Sequence, residues 1–280
     1  LRFIKKPQVW MEACSRHQAK TTFAPNFALA LAARKAKPEQ IAQLDLSRLT
    51  ALGCGAEPIH PDTMREFVQT FAPAGLPNHA ILPAYGMAEA TLAISLKPLG
   101  TEPVTHTVHA ETFQNEGRCA PPITGEPAIE HVSCGVPFPG HRVVAMCPDG
   151  QELAEGQEGE LCTRGPSNTP GYYRNPEATA RTFRDGWLHT GDLGFVLDGQ
   201  VYVTGRVKDL IILNGRNVAP QSVEWAAQEV EGVRKGNVVA FSRPGAHSEE
   251  LVIALETRRD DTDALTAEVR KAVQHELSLS

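Results

Sequence analysis

The sequence has 280 residues, 41% hydrophobic and 21% charged, the balance of a globular protein with one large or two ordinary domains. A net charge of −6, with Lys and Arg scattered rather than gathered in a stripe, excludes a nucleic-acid footprint. No apolar run approaches the ~20 residues that a membrane span requires.

The six cysteines contain no Cys-x-x-Cys pair, and the ten histidines show no metal-ligand spacing. Both counts predict small buried thiols in a reducing cytoplasm and no structural zinc. The chain opens at Leu1 without an initiator Met or signal peptide and stops at Ser280 beside a helical pattern, so both ends read as cuts.

In chain order, residues 1–37 read as helices from Gln8 to Arg16 and from Phe27 to Lys35. Between them a strand-like Thr21-Thr22-Phe23-Ala24 is broken by Pro25-Asn26. Asn26 suits the N-cap of the second helix, and Phe23 and Phe27 read as core packing, with ligand contact as the alternative. Leu46 to Leu52 leads as a strand into Gly53-Cys54-Gly55-Ala56-Glu57-Pro58, small residues that let backbone approach a flat ligand. Pro61 opens a helix whose Met64, Phe67, Val68 and Phe71 form one core stripe. An apolar run then enters Pro83-Ala84-Tyr85-Gly86-Met87-Ala88-Glu89-Ala90-Thr91, and a helix-compatible run extends from Ala88 to Leu96. Two strand-to-glycine corners around one amphipathic helix predict a parallel, right-handed βαβ unit. A ligand crevice belongs at the carboxyl ends of its strands.

From Lys97 to Val132 periodicity fails among recurrent prolines and glycines, which predicts a long loop. Short β runs then alternate with turns: Arg142 to Met146, Gly159 to Thr163, Gly194 to Leu197 and Val201 to Thr204. Asp198-Gly199 is a hairpin signal. Beyond Gly205-Arg206, strands from Leu210 to Leu213, Val238 to Phe241 and Leu251 to Glu256 alternate with helices from Ser222 to Glu231 and Asp263 to Leu277. Asn214-Gly215 ends the first of these strands, and Gly232 fits the C-cap of the first helix. The expected fold class is α/β: a partial doubly wound subdomain (1–100), then an irregular segment (101–134). A β-rich subdomain, sheet or distorted barrel (135–206), and a small α+β C-terminal domain (207–280) follow.

Several residues outside the core patterns invite chemistry. Glu89 is a hard oxygen ligand of the type Mg²⁺ prefers; the plain alternative is a solvated Glu on a buried turn. Asp192 lies between two glycines, where its oxygens can accept from neighbouring hydroxyls such as a ribose diol, or make an Asx-turn. Arg206 can fork onto phosphate or ribose oxygens, or make a surface ion pair. Lys208, with Asp209, marks either a solvated linker or a hinge. His189 reads as a base candidate or a satisfied structural histidine.

Taken together, these stretches resemble the adenylate-forming superfamily of acyl-activating enzymes, and within it the fatty acyl-AMP ligases. The matching runs are Ala24-Pro25-Asn26-Phe27-Ala28, Gly55-Ala56-Glu57-Pro58, Tyr85-Gly86-Met87-Ala88-Glu89-Ala90-Thr91, Gly171-Tyr172-Tyr173, Trp187 to Leu193, and Gly205-Arg206-Val207-Lys208-Asp209 through Gly215-Arg216-Asn217. The resemblance implies ATP and Mg²⁺ as cofactors, with adenine between the Gly55-Ala56-Glu57 backbone and Tyr85. The Gly86-Met87-Ala88 turn would line the nucleotide. Glu89 would hold Mg²⁺, Asp192 the ribose, and Arg206 ribose or phosphate, while Lys208 would be the hinge. It further implies attack of a fatty carboxylate on the α-phosphate of ATP, with transfer of the acyl group to an acyl carrier protein's phosphopantetheine thiol. Acyl-CoA synthetases share the first step with CoA as acceptor; a non-catalytic nucleotide- or acyl-binding module is the reading from another class. The stretch from Glu111 to about His131 lies where the ligases carry an extra segment that restrains the C-terminal domain. The family's Ser/Thr/Gly-rich phosphate loop and its C-terminal Gly-Lys motif are not in this sequence, so these 280 residues alone are expected not to turn over.

Overall fold

A computed structural model describes residues 2–213, 216–244 and 249–277. Helix α1 (Gln8–Arg16) precedes strand β1 (Thr21–Ala24), and α2 (Asn26–Lys35) leads to β2 (Ala51–Cys54). Helix α3 (Pro61–Phe71) leads to β3 (Ile81–Gly86), which is followed by β4 (Ala93–Leu96). Strands β1, β2 and β3 run parallel, with α3 as the crossover between the last two, so the expected βαβ unit is present. Met64, Phe67 and Phe71 are buried with Leu29, Leu52 and Ile81, and Val68 packs against that cluster.

Three details of this part differ from expectation. Asn26 is the first residue of α2, with extended Pro25 at the N-cap, and its Oδ1 accepts from the His60 N–H at 3.1 Å. Phe23 and Phe27 are 66% and 49% exposed rather than core. β1 is the edge strand, and the Phe23 ring lies on the face of Gly53, where a Cβ would sit 2.1 Å from it. Ala88 to Leu96 is not a helix: one 3₁₀ turn (Ala88–Ala90) is followed by β4, which returns antiparallel beside β3. Burial of Ile94, and of Ser95 with its hydroxyl on the Cys134 carbonyl, fixes the extended form over local helix propensity.

The stretch from Lys97 to Val132 is also more ordered than expected. Strand β5 (Thr105–His109), helix α4 (Ala110–Glu116) and strand β6 (Ala128–Val132) form a hairpin with a helical excursion. Val108 and Phe113 bury themselves with Phe195 and Tyr202, whose rings stack at 4.6 Å. Strand β7 (Val136–Pro137) then pairs with β4 and closes the first sheet in the order β1-β2-β3-β4-β7.

The second sheet is antiparallel. It contains β8 (Arg142–Met146), β9 (Gly159–Arg164), then, after α5 (Pro176–Thr182), β10 (Phe183–Arg184), β11 (Trp187–Leu197) and β12 (Gln200–Arg206). Asp198 and Gly199 turn between the last two strands with φ of 51° and 71°, the left-handed pair of a tight hairpin.

A 3₁₀ turn (Val207–Asp209) leads to hairpin β13 (Ile211–Leu213) and β14 (Arg216–Val218), helix α6 (Pro220–Gln228), hairpin β15 (Val233–Pro244) and β16 (Glu249–Thr257), and helix α7 (Thr262–Glu276). Their apolar faces form a separate core that includes Leu265, Val269, Val273 and Leu277. The Asn214-Gly215 turn lies outside the described residues. Gly232 is not the C-cap of α6; Glu229 holds that position, and Gly232 turns toward β15 at φ 89°.

Candidate functional site

The site begins where β2 and β3 end. Gly55 follows β2, and a Cβ there would stand 2.6 Å from the Ala84 carbonyl of β3, so the two glycine corners abut. A Cβ on Gly86 would fall 1.9 Å from the Leu92 carbonyl, and only glycine admits that approach of β4 to β3. Ala56 takes a left-handed φ of 68° and leaves Glu57 facing the start of α2, where Oε1 accepts from the Phe27 N–H at 2.5 Å. An acidic group at a helix N-terminus is stabilising, and Glu57 rather than Asn26 supplies it. Met87 is extended and leads into the one-turn Ala88–Ala90 segment, with Ala88 exposed.

Tyr85 reaches across to the second sheet. Its buried hydroxyl donates to Asp192 Oδ2 at 2.8 Å, while Arg206 Nε lies 3.2 Å from Oδ1 of the same carboxylate. Asp192 and Arg206 are cross-strand partners on β11 and β12, beside a register shift between Leu193 and Gly194. The residues before Asp192 are tied down: Gly191 N donates to Glu160 Oε1 at 3.0 Å, and Thr190 Oγ1 donates to the Leu161 carbonyl. The Asp192 N–H donates to that same Thr190 oxygen, and its carboxylate engages Tyr85 and Arg206 from a strand rather than closing an Asx-turn, with the side chain 13% exposed. Burial raises the Asp192 pKa above the ordinary carboxylate value despite the Tyr85 hydroxyl and Arg206, which pull it down. Burial likewise raises Tyr85, and the Asp192 charge adds to it.

Glu89 is held by a strap formed by residues 167–172. The Thr169 N–H donates to its carbonyl at 2.7 Å, and the Tyr172 hydroxyl donates to Oε1 at 2.6 Å. Ser167 and Thr91 exchange further bonds, Ser167 Oγ to the Ala90 carbonyl and Thr91 Oγ1 to the Ser167 carbonyl. Tyr172 stands in a quoted motif, yet local sequence assigns it no role, because its partner is 83 positions away. Lys208 and Asp209 are exposed on the 3₁₀ turn that follows Arg206. Gly215 and the side chains of Arg216 and Asn217 lie outside the described residues.

The structure thus joins Tyr85, Asp192 and Arg206 directly and sets Glu89 four residues beyond Tyr85. Gly55 touches the same strand, Glu57 is engaged with α2, and Lys208 is two residues past Arg206. The donor set fits a nucleotide and a hard cation: an aromatic plane, a carboxylate beside a guanidinium, and a second carboxylate whose oxygens suit Mg²⁺. His189 has partners that sequence reasoning could not find, Glu160, Cys162 and Arg184. All six cysteines are free; Cys119 and Cys147 are half-buried, and burial pushes the Cys134 and Cys162 thiols up to about 12.

Parallel strands that end at abutting glycine corners, with a polar cluster across from them, define an α/β protein with a crevice at its strands' carboxyl ends. The chain belongs to the AMP-binding enzyme family, whose sequence profile matches residues 2–173. It is 39% identical over 268 residues to a Caulobacter vibrioides protein named as an acyl-CoA synthetase, covering 95% of this chain and 47% of that one. It is 35% identical to the long-chain-fatty-acid–AMP ligase FadD32 of Mycolicibacterium smegmatis, covering 97% of this chain and 51% of the ligase. A solved fatty acyl-adenylate ligase, from studies of the E. coli and L. pneumophila enzymes, superposes with a TM-score of 0.91. It is 32% identical, and the match covers 99% of this chain and 51% of that one. The chain spans about half the length of the curated relatives it matches.

Proposed function

We propose that this chain is the nucleotide-holding part of a fatty acyl-AMP ligase, which activates a fatty acid to its acyl adenylate with release of pyrophosphate. The observation that carries the reading is the Tyr85–Asp192–Arg206 cluster, with Glu89 four residues beyond Tyr85 on the turn that follows the same strand. Asp192 would accept from the ribose hydroxyls, with Arg206 neutralising the carboxylate and reaching ribose or phosphate. Tyr85 and the Gly55-Ala56-Glu57 backbone would take the adenine, bordered by Gly86, Met87 and Ala88. Glu89, oriented by Tyr172, would hold Mg²⁺, which supplies charge neutralisation on the phosphates when bound. Lys208 would act as the hinge of the C-terminal unit, within a division into 1–100, 101–134, 135–206 and 207–280. A buried cluster of its own supports the last of these units, whereas the first three share buried clusters across their borders.

The acyl group would pass to an acyl carrier protein. Similarity to the acyl-AMP ligases favours this acceptor, as does a medium-chain-fatty-acid–[acyl-carrier-protein] ligase of Moorena producens at 33% identity over 99% of this chain. The Caulobacter relative favours CoA as the second reading. Titrating the 280-residue chain with a non-hydrolysable acyl-adenylate analogue tests the site. Asp192→Ala should weaken binding about 10-fold or more, the scale of a lost bond to a charged group; equal affinity would remove Asp192 from it. Acceptor choice is read by giving the full-length parent ATP, fatty acid and either CoA or a carrier protein. Product with neither acceptor and no fatty-acid-dependent pyrophosphate would end the ligase reading.

A further inference from the structure

Beside Gly191 and Asp192 on β11, three side chains of different chemistry converge from two strands. Cys162 on β9 and His189 on β11 are cross-strand partners, and Glu160 lies two residues before Cys162 on the same face of β9. His189 Nδ1 is 3.3 Å from Cys162 Sγ and 2.9 Å from Glu160 Oε2, and all three donor atoms lie within 4.8 Å of one another. Around a tetrahedral Zn²⁺ with bonds of about 2.0–2.3 Å, ligand atoms stand roughly 3.3–3.6 Å apart. The two separations from His189 therefore lie within a few tenths of an ångström of a ligand set, and the third, from Cys162 to Glu160, is no more than 4.8 Å.

We propose that Glu160, Cys162 and His189 form a site for a zinc-class divalent cation, with solvent in the fourth position.

Three further observations support it. Glu160 is already oriented: its Oε1 accepts from the Gly191 N–H, which leaves Oε2 as the atom that faces His189. Such outer bonds are how proteins aim metal-binding carboxylates. A positive charge already stands at the cluster, since an Arg184 guanidinium nitrogen lies 2.8 Å from His189 Nδ1 and 3.7 Å from Glu160 Oε2. The Arg184 side chain is 51% exposed and can swing to solvent when a metal takes its place. The mixed sulfur, nitrogen and oxygen set selects Zn²⁺ or Co²⁺ over Mg²⁺ and Ca²⁺, which prefer oxygen alone. On binding, the metal–sulfur bond replaces the Cys162 S–H bond and the proton passes to solvent, so affinity rises with pH. Cys-x-x-Cys and His spacing rules cannot find this site, because Cys162 and His189 are 27 positions apart and meet only through strand pairing. The bound ion would clamp β9 to β11 immediately before Asp192.

The test is a Co²⁺ titration of the 280-residue chain, read by thiolate-to-cobalt charge-transfer absorption and reversed by Zn²⁺. A single equivalent giving that band, lost in Cys162→Ser and weakened at least about 10-fold in His189→Ala, is the expected result. Arg184→Ala, which removes an exposed side chain and keeps the fold, should tighten binding, by about 10-fold if the displaced charge is worth 1.4 kcal/mol. Circular dichroism checks that each variant folds. An unchanged band in Cys162→Ser would overturn the proposal, and so would the absence of stoichiometric Co²⁺ or Zn²⁺ binding. Equal or weaker binding by Arg184→Ala would remove the argument that this guanidinium stands in for a cation.

Discussion

Burial raises the Asp192 pKa although Tyr85 donates to one oxygen and Arg206 flanks the other. A carboxyl whose folded pKa lies above its unfolded value binds its proton more tightly when folded. Its contribution is therefore most favourable at low pH. That contribution declines as pH rises from the unfolded value of about 3.9 through the folded one. At neutral pH the ionised group opposes folding. Asn keeps an oxygen for the Tyr85 hydroxyl and loses only the pairing with Arg206, which is 55% exposed and weak for that reason. Asp192→Asn should thus stabilise the chain by about 1 kcal/mol at pH 7, with the gain shrinking toward pH 4, while it weakens nucleotide binding. Thermal melts at both pH values decide the matter; a less stable variant at pH 7 would defeat the account. The candidate position of Asp192 was legible as an Asp between glycines, but its burial was not. That depends on Tyr85, which is 107 residues away.

At the scale of elements, regular burial made α3 and α7 readable, because one stripe of Met64, Phe67 and Phe71, or of Leu265, Val269 and Val273, carries the signal. The hairpin β5–β6 gave no such signal. Its two strands are separated by a helix and the prolines at 121, 122 and 127, and its buried face includes histidines: His106 and His131 are register partners. The His131 ring packs against Phe113 and Phe195, and its Nε2 is buried without a hydrogen-bond partner among the described residues. Burial, with His106 nearby, lowers its pKa to about 4. A histidine held neutral contributes stability that is present above its unfolded pKa of about 6.5 and is lost as pH falls toward the folded value. The full linkage is roughly 3 kcal/mol at most. His131→Phe, which fills the same aromatic niche without an orphaned nitrogen, should raise stability by about 1–3 kcal/mol. It should also flatten the pH dependence between pH 6.5 and 4. Denaturant unfolding at pH 7 and pH 4.5 measures both effects; a wild-type–variant difference independent of pH would contradict the burial argument.

For the whole molecule, the question is how firmly the last unit, with its own core, rests on the rest. The described direct contacts are slender. Trp225 of α6 meets His60 edge-on at 4.5 Å between ring centres, Gln114 Nε2 donates to the Glu276 carbonyl at 3.4 Å, and an Arg34 guanidinium donates to the Lys235 carbonyl at 3.4 Å. Hydrogen bonds of that length are weak, so the aromatic pair carries much of the docking, about 1 kcal/mol beyond area burial. The α4 helix also approaches β14, beside a cavity walled by Phe113, Leu193, Leu210 and Leu277. Loss of the Trp225 ring should then shift the docked–undocked balance about 10-fold, as expected for 1.4 kcal/mol, while leaving both cores intact. The junction itself supplies the readout, because Arg206 and Lys208 are exposed trypsin sites at the turn between the units. When opening and closing are fast, cleavage follows the open population. Trp225→Ala should therefore be cut several-fold faster at this turn, with an unchanged far-ultraviolet dichroism spectrum. A cleavage rate equal to wild type would mean that the α4–β14 side, not Trp225, holds the C-terminal unit in place.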